Sequence, residues 1–127
     1  FEPRGQYIGT EPYNKWTKPS CVLIGEDNYS DACGFPYVYK TLGIGKLIGA
    51  PVPGTMTAVW WENQIDPSIV FGIPQVGALG VKEGRYLENM QIEPDILVYN
   101  DPASVLRGED KQLEAAVKEM LKTIESR

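Results

Sequence analysis

A serine followed by an aspartate, Ser30-Asp31, lies between an apolar run at residues 21–25 and a stretch whose Ala32, Phe35, Val38, Tyr39 and Leu42 recur at helical spacing. A hydroxyl at such a strand-to-helix junction sits at the carboxyl edge of a sheet, where open α/β sheets place their ligands. The free N–H groups of the helix's first turn and the positive end of its dipole would stabilise an oxyanion there, as acyl transfer requires. The same Ser-Asp pair also reads as an ordinary helix N-cap, and the spacing alone leaves both readings open. Glu88, in Leu87-Glu88-Asn89, is an acidic residue in a turn-like segment between apolar stretches. Taken alone it is a solvated surface carboxylate.

The chain of 127 residues contains no histidine, so Ser–His, Cys–His or His-ligated metal chemistry cannot be completed from within it. Cys21 and Cys33 are too few for a disulfide framework and belong to no CxxC or Cys/His cluster, so no metal site is expected. Cys21 opens the apolar run and reads as a core residue. The pair Gly43-Ile44-Gly45 follows a helix rather than a strand and lacks both a third glycine and a P-loop lysine, so no nucleotide or other cofactor is expected. With 12 basic and 17 acidic residues, a net charge of −5 and a pI near 4.7, the chain is poorly suited to binding nucleic acid. There is no run of about 18 apolar residues and no basic segment leading into an apolar one, so neither a membrane span nor a signal peptide is expected.

The elements that must position these residues follow from composition. Length and a hydrophobic content of 43% suit one domain over residues 1–127. Residues 1–19, punctuated by Pro3, Gly5, Gly9, Pro12 and Pro19, read as an extended loop with one short strand, and residues 20–127 as the core. The run 21–25 reads as a strand covered on both faces, and residues 46–50 as a second buried strand. The helix between them stops at Gly43, which makes a βαβ unit with a right-handed crossover. Pro36 inside that helix should kink it or force it to restart. Residues 57–61 and 68–73 are strand-like, giving two or three antiparallel strands, with Trp60 and Trp61 half core and half surface. Another short strand is expected at 96–99. After Gly108, the residues Leu113, Ala116, Val117, Met120, Leu121 and Ile124 form one apolar stripe of an amphipathic helix that should lie on the sheet.

Taken in order, several segments resemble the catalytic core of the tricorn-type peptidases, a branch of the tail-specific, C-terminal-processing serine peptidases. They are Asn28-Tyr-Ser30-Asp31-Ala-Cys-Gly-Phe-Pro36-Tyr, Leu42-Gly-Ile-Gly45-Lys-Leu-Ile-Gly49, Pro53-Gly54, Leu87-Glu88-Asn89, Glu93-Pro94-Asp95-Ile96 and Asp110-Lys-Gln-Leu113-Glu. The resemblance runs from about residue 20 to the end. It implies a crotonase-like or Clp-protease-like α/β core, Ser30 as nucleophile, the Asp31 N–H as one oxyanion donor, and Glu88 as a member of the catalytic group. It also implies that a histidine base and a glycine-rich loop bearing a second oxyanion donor lie N-terminal to Phe1. The Ser–Lys branch of the wider family carries lysine in a Gly-Lys-Gly turn; the matching turn here is Gly54-Thr55-Met56, which argues for the histidine-dependent branch. Lys46, the nearest lysine upstream, falls within a strand and is not promoted to base, and Cys33 reads as structural.

The expectation is therefore the C-terminal part of a serine peptidase acting on peptides or unfolded protein, inactive alone because its base is missing. The alternative is a non-catalytic peptide- or ligand-binding domain on the same fold. The expected partners are the substrate, the N-terminal part of the same polypeptide, and further copies of the chain, since a severed core exposes apolar surface. The resemblance inclines towards an extracytoplasmic location, with the cytoplasm as the alternative.

Overall fold

The computed structural model describes residues 16–126. The expected loop at 1–19 lies outside these residues except for 16–20, which carry neither helix nor strand and leave Trp16 exposed.

The run Cys21–Ile24 forms strand β1, and Lys46–Gly49 forms β2. The two pair in parallel with Cys21 opposite Lys46, as a βαβ unit requires. A third strand, β5 (Ile96–Leu97), joins the other side of β2, also parallel, to give the order β1-β2-β5. Asp95, just before β5, pins β2 at this edge. Its side chain accepts from the Leu47 N–H at 2.8 Å, while its own N–H donates to the Leu47 carbonyl at 2.8 Å. The expected strand at 96–99 is shorter: the Val98 N–H still donates to the Gly49 carbonyl of β2 at 2.9 Å, but the Val98 carbonyl accepts from the Gln112 side chain at 2.9 Å.

Helix α1 (Asp31–Thr41) connects β1 to β2. It ends as Gly43 predicts. With φ 64° at that glycine, the Gly43 N–H reaches the Lys40 carbonyl and the Ile44 N–H the Tyr39 carbonyl, the two bonds of a Schellman stop. The helix runs through Pro36 without restarting there. A proline at that position leaves the Ala32 carbonyl without its helical donor, and the Asn28 side-chain amide supplies one at 2.7 Å.

The core lies between α1, the sheet and the irregular segments that follow. Ile24, Cys33, Tyr39, Leu47, Val52, Met56, Leu87 and Ile92 form one buried cluster. Strand β1 is not covered on both faces as expected: Val22 and Ile24 face this core, but Leu23 on the other face is 42% exposed. Strands β3 (Thr57–Asn63) and β4 (Val70–Gly77) form a separate antiparallel ribbon with a bulge between Ala58 and Val59. Trp60 and Trp61 are both exposed rather than half core, since each face of a two-stranded ribbon has little to pack against.

After the short α2 (Pro102–Leu106), helix α3 (Lys111–Glu125) lies against β1 and β2. The helix lies on the sheet as expected, but only part of the stripe, Ala116 and Met120, faces it. Ala116 is buried, and Glu119, Met120 and Thr123 share a crevice with Cys21 and Lys46. The stripe Leu113, Val117, Leu121 and Ile124 is at least half exposed. The sheet edge offers polar groups to satisfy, the Val98 carbonyl and the Lys46 ammonium, and Gln112 and Glu119 meet them from the adjoining face of the helix.

Candidate active site

Ser30 occupies the position before α1, but its side chain makes no capping hydrogen bond. Its backbone is at φ 54°, ψ −118°, a region that L-residues with a side chain rarely enter. The Ala32 N–H closes a tight turn onto the Tyr29 carbonyl at 3.0 Å, with Ser30 in the place that glycine takes in a type II′ turn. An ordinary N-cap has extended backbone and bonds the N2 or N3 amide through its side chain. Ser30 does neither, so the capping alternative is removed.

The helix end provides a donor beside this hydroxyl. Among the first-turn amides, Ala32 is taken by Tyr29, and Cys33 and Gly34 reach the Ser30 carbonyl at 2.8 and 3.1 Å. Asp31, as the first helical residue, has no intrahelical acceptor for its N–H. Ser30 and Asp31 open onto a groove of about 250 Å³ whose other walls include Gly34, Thr57, Ala58 and Val76.

Glu88 lies behind that wall. Its Oε2 accepts from the Met56 N–H and from the Thr57 hydroxyl, each at 2.7 Å, and both donors belong to residues that line the Ser30 groove. The Thr57 hydroxyl first, and the Met56 N–H second, hold its carboxyl below the usual carboxylate range despite partial burial. Glu88 is thus an ionised, anchored carboxylate rather than the solvated surface group its local sequence suggests. The anchoring depends on a close crossing. The Asn89 N–H donates to the Gly54 carbonyl at 2.8 Å with Asn89 at φ 61°, and a Cβ on Gly54 would stand 2.3 Å from the Met90 nitrogen.

The three residues singled out from the sequence therefore meet around one short segment, 55–58. Thr57 and the Met56 amide were missed, because a threonine at the start of a β-strand carries no signal beyond strand propensity. The lysines stand elsewhere: Lys46 pairs with Glu119, and Lys40 with Asp95 at 3.2 Å and the Glu93 carbonyl at 2.7 Å. Cys33 is buried, its thiol donating to the Pro53 carbonyl at 2.8 Å, which ties α1 to the turn that carries Gly54. Cys21 is half-buried, and burial first and the Glu119 charge second push its thiol pKa up, away from reactivity. A separate cavity of about 290 Å³ between α1 and residues 82–93 holds Tyr37 and Glu83 bonded to each other at 2.6 Å.

A parallel β-α-β unit with a strained serine at its strand-to-helix turn defines an α/β protein whose candidate site lies at the carboxyl edge of its sheet. The chain belongs to Peptidase family S41, whose model matches residues 2–98. It is similar to a protein of Chlamydia pneumoniae, 34% identical over 90 residues that make up 70% of this chain and 14% of the relative. It is also similar to the tricorn protease of Thermoplasma acidophilum, 25% identical over 122 residues, 96% of this chain and 11% of the relative. Among solved structures it superposes on tricorn protease with a TM-score of 0.73 at 25% identity, covering 83% of this chain and 10% of that one. On mature CPAF the TM-score is 0.59 at 27% identity, covering 68% and 16%. The chain thus spans 11 to 14% of the length of these curated relatives, and its likeness is to a tricorn-type S41 peptidase.

Proposed function

We propose that the chain is the C-terminal part of a serine-type peptidase catalytic domain with a crotonase-like or Clp-protease-like core, and that Ser30 is its nucleophile. The observation that carries this reading is the backbone of Ser30, held at φ 54° with its hydroxyl engaged in no cap. Strain of this kind persists where the surrounding structure over-determines it, and it concentrates at functional turns. Membership of family S41 supports the peptidase class.

In the proposed reaction the Ser30 Oγ attacks the scissile carbonyl while a histidine outside these 127 residues takes its proton. The Asp31 N–H donates to the oxyanion that forms, and the same histidine returns its proton to the leaving amine. Water then hydrolyses the acyl-enzyme. Glu88 supports the base by accepting from it, which keeps the imidazolium favourable when it forms. No lysine among the described residues faces the Ser30 groove, which favours a histidine-dependent arrangement over a Ser–Lys pair. The substrate is an extended peptide or unfolded protein, and the working form is an assembly of the intact polypeptide.

Labelling of the intact polypeptide with a fluorophosphonate, with the modified residue mapped by mass spectrometry, tests the reading. Modification at Ser30 that disappears in Ser30→Ala is the expected result. A folded polypeptide that takes no label would instead favour a binding domain on the same fold.

A further inference from the structure

Glu88 is gripped on one oxygen only. Oε2 takes both the Met56 N–H and the Thr57 hydroxyl, the Thr57 N–H also faces the carboxylate, and no hydrogen bond closes on Oε1 among the described residues. We propose that Thr57 is a positioning residue for the peptidase reaction, its hydroxyl locking Glu88 so that Oε1 remains the acceptor for the catalytic base. The inference rests on the serine-peptidase reading above.

Three features support it. A glutamate side chain turns about three torsions, and two hydrogen bonds to one oxygen remove that freedom, as the supporting shell of a precise site must. The segment that grips Glu88 also walls the Ser30 groove, so Thr57 ties the distance from nucleophile to carboxylate through two adjacent residues. The grip is itself braced, since Gly54 and Met90 cross too closely for Glu88 to swing away with its loop. Asp31, across the groove, is the charged residue that shares this space, and the interactions that shift Glu88 all come from Met56, Thr57 and burial.

A merely structural threonine would affect stability alone. A positioning hydroxyl also controls the ionisation of Glu88, because a donor to the charged form favours that form. Removing it raises the carboxyl pKa and frees the side chain to turn, so the support Glu88 gives the base weakens.

The test measures kcat and KM on a peptide substrate from about pH 4 to pH 8. It uses the intact polypeptide as wild type, Thr57→Val, Thr57→Ser and Ser30→Ala, with melting temperature recorded for each. Thr57→Val should lower kcat roughly tenfold and leave KM within about twofold, while Thr57→Ser restores most of the rate. Where Thr57→Val does not fold, Thr57→Ala replaces it. A hydroxyl-free variant with wild-type kcat would overturn the inference, as would equal losses in the valine and serine variants, which point to packing. Activity surviving in Ser30→Ala would overturn the peptidase reading itself, whatever Thr57 does.

Discussion

The side-chain amide of Asn28 donates to the Ala32 carbonyl at 2.7 Å, the carbonyl that Pro36 leaves without its helical partner. The other end of the same amide, Oδ1, accepts from the Gly25 N–H at 3.0 Å. Asn28 thus joins the end of β1 to the first turn of α1, on either side of Ser30. Asn28→Ala should destabilise the fold by about 1–2 kcal/mol, measured by denaturant unfolding. In a Pro36→Ala background, the backbone N–H restored by that substitution can serve the Ala32 carbonyl, so the loss of Asn28 should cost less. Additive effects in that double-mutant cycle would show that the two residues do not share the carbonyl.

The turn at Ser30 sets reactivity against stability. A residue with a side chain held at φ 54°, ψ −118° costs of order 1 kcal/mol or more relative to glycine. Ser30→Gly should therefore raise unfolding stability by about 1 kcal/mol while abolishing fluorophosphonate labelling of the intact polypeptide. Ser30→Ala should abolish labelling without the gain. A glycine variant less stable than the alanine variant would show that the backbone is not strained there.

Gly54 lets two loops cross. Its missing Cβ would meet the Met90 nitrogen, oxygen and carbonyl carbon at 2.3, 2.4 and 2.6 Å, all backbone atoms that cannot turn aside. Gly54→Ala should cost about 1–3 kcal/mol by overpacking. It should also pull Glu88 from the Met56 amide, so the loss of activity in the intact polypeptide should exceed that of Thr57→Val. Stability and activity both at wild-type levels would place the crossing further apart than described.

Much of this architecture is legible in residue types. The apolar runs at 21–25 and 46–50, the helix between them and its glycine stop follow from local propensity, and the observed strands fall within those runs. The unbroken helix through Pro36 is not legible, because the donor that rescues it lies four residues before the carbonyl, in a loop. Ser30 stands out by position, yet local spacing cannot separate nucleophile from cap; the backbone angle removes the ordinary cap. Glu88 is the harder case, since its ionised, anchored state depends on donors 31 and 32 residues away in sequence. The resemblance to a family pointed to it, while the local sequence pointed away.

Helix α3 shows how an apolar stripe can mislead about docking. Periodicity assigns Leu113, Ala116, Val117, Met120, Leu121 and Ile124 to the sheet; Ala116 is 6% exposed and Met120 meets the sheet beside Cys21 and Lys46, but Leu113, Val117, Leu121 and Ile124 are 50%, 50%, 53% and 58% exposed. The helix is set down on the side that can satisfy Lys46 and the Val98 carbonyl, through Glu119 and Gln112. Substitutions on the two sides should therefore differ in kind. Val117→Gln should change the unfolding free energy by no more than about 0.5 kcal/mol, as for other exposed positions. Ala116→Leu should cost about 1–3 kcal/mol, because extra methylenes meet the sheet at close range. Denaturant unfolding of the two variants decides between the orientations. If Val117→Gln proves the more damaging, the stripe lies on the sheet after all, and the pairing of Glu119 with Lys46 does not orient the helix.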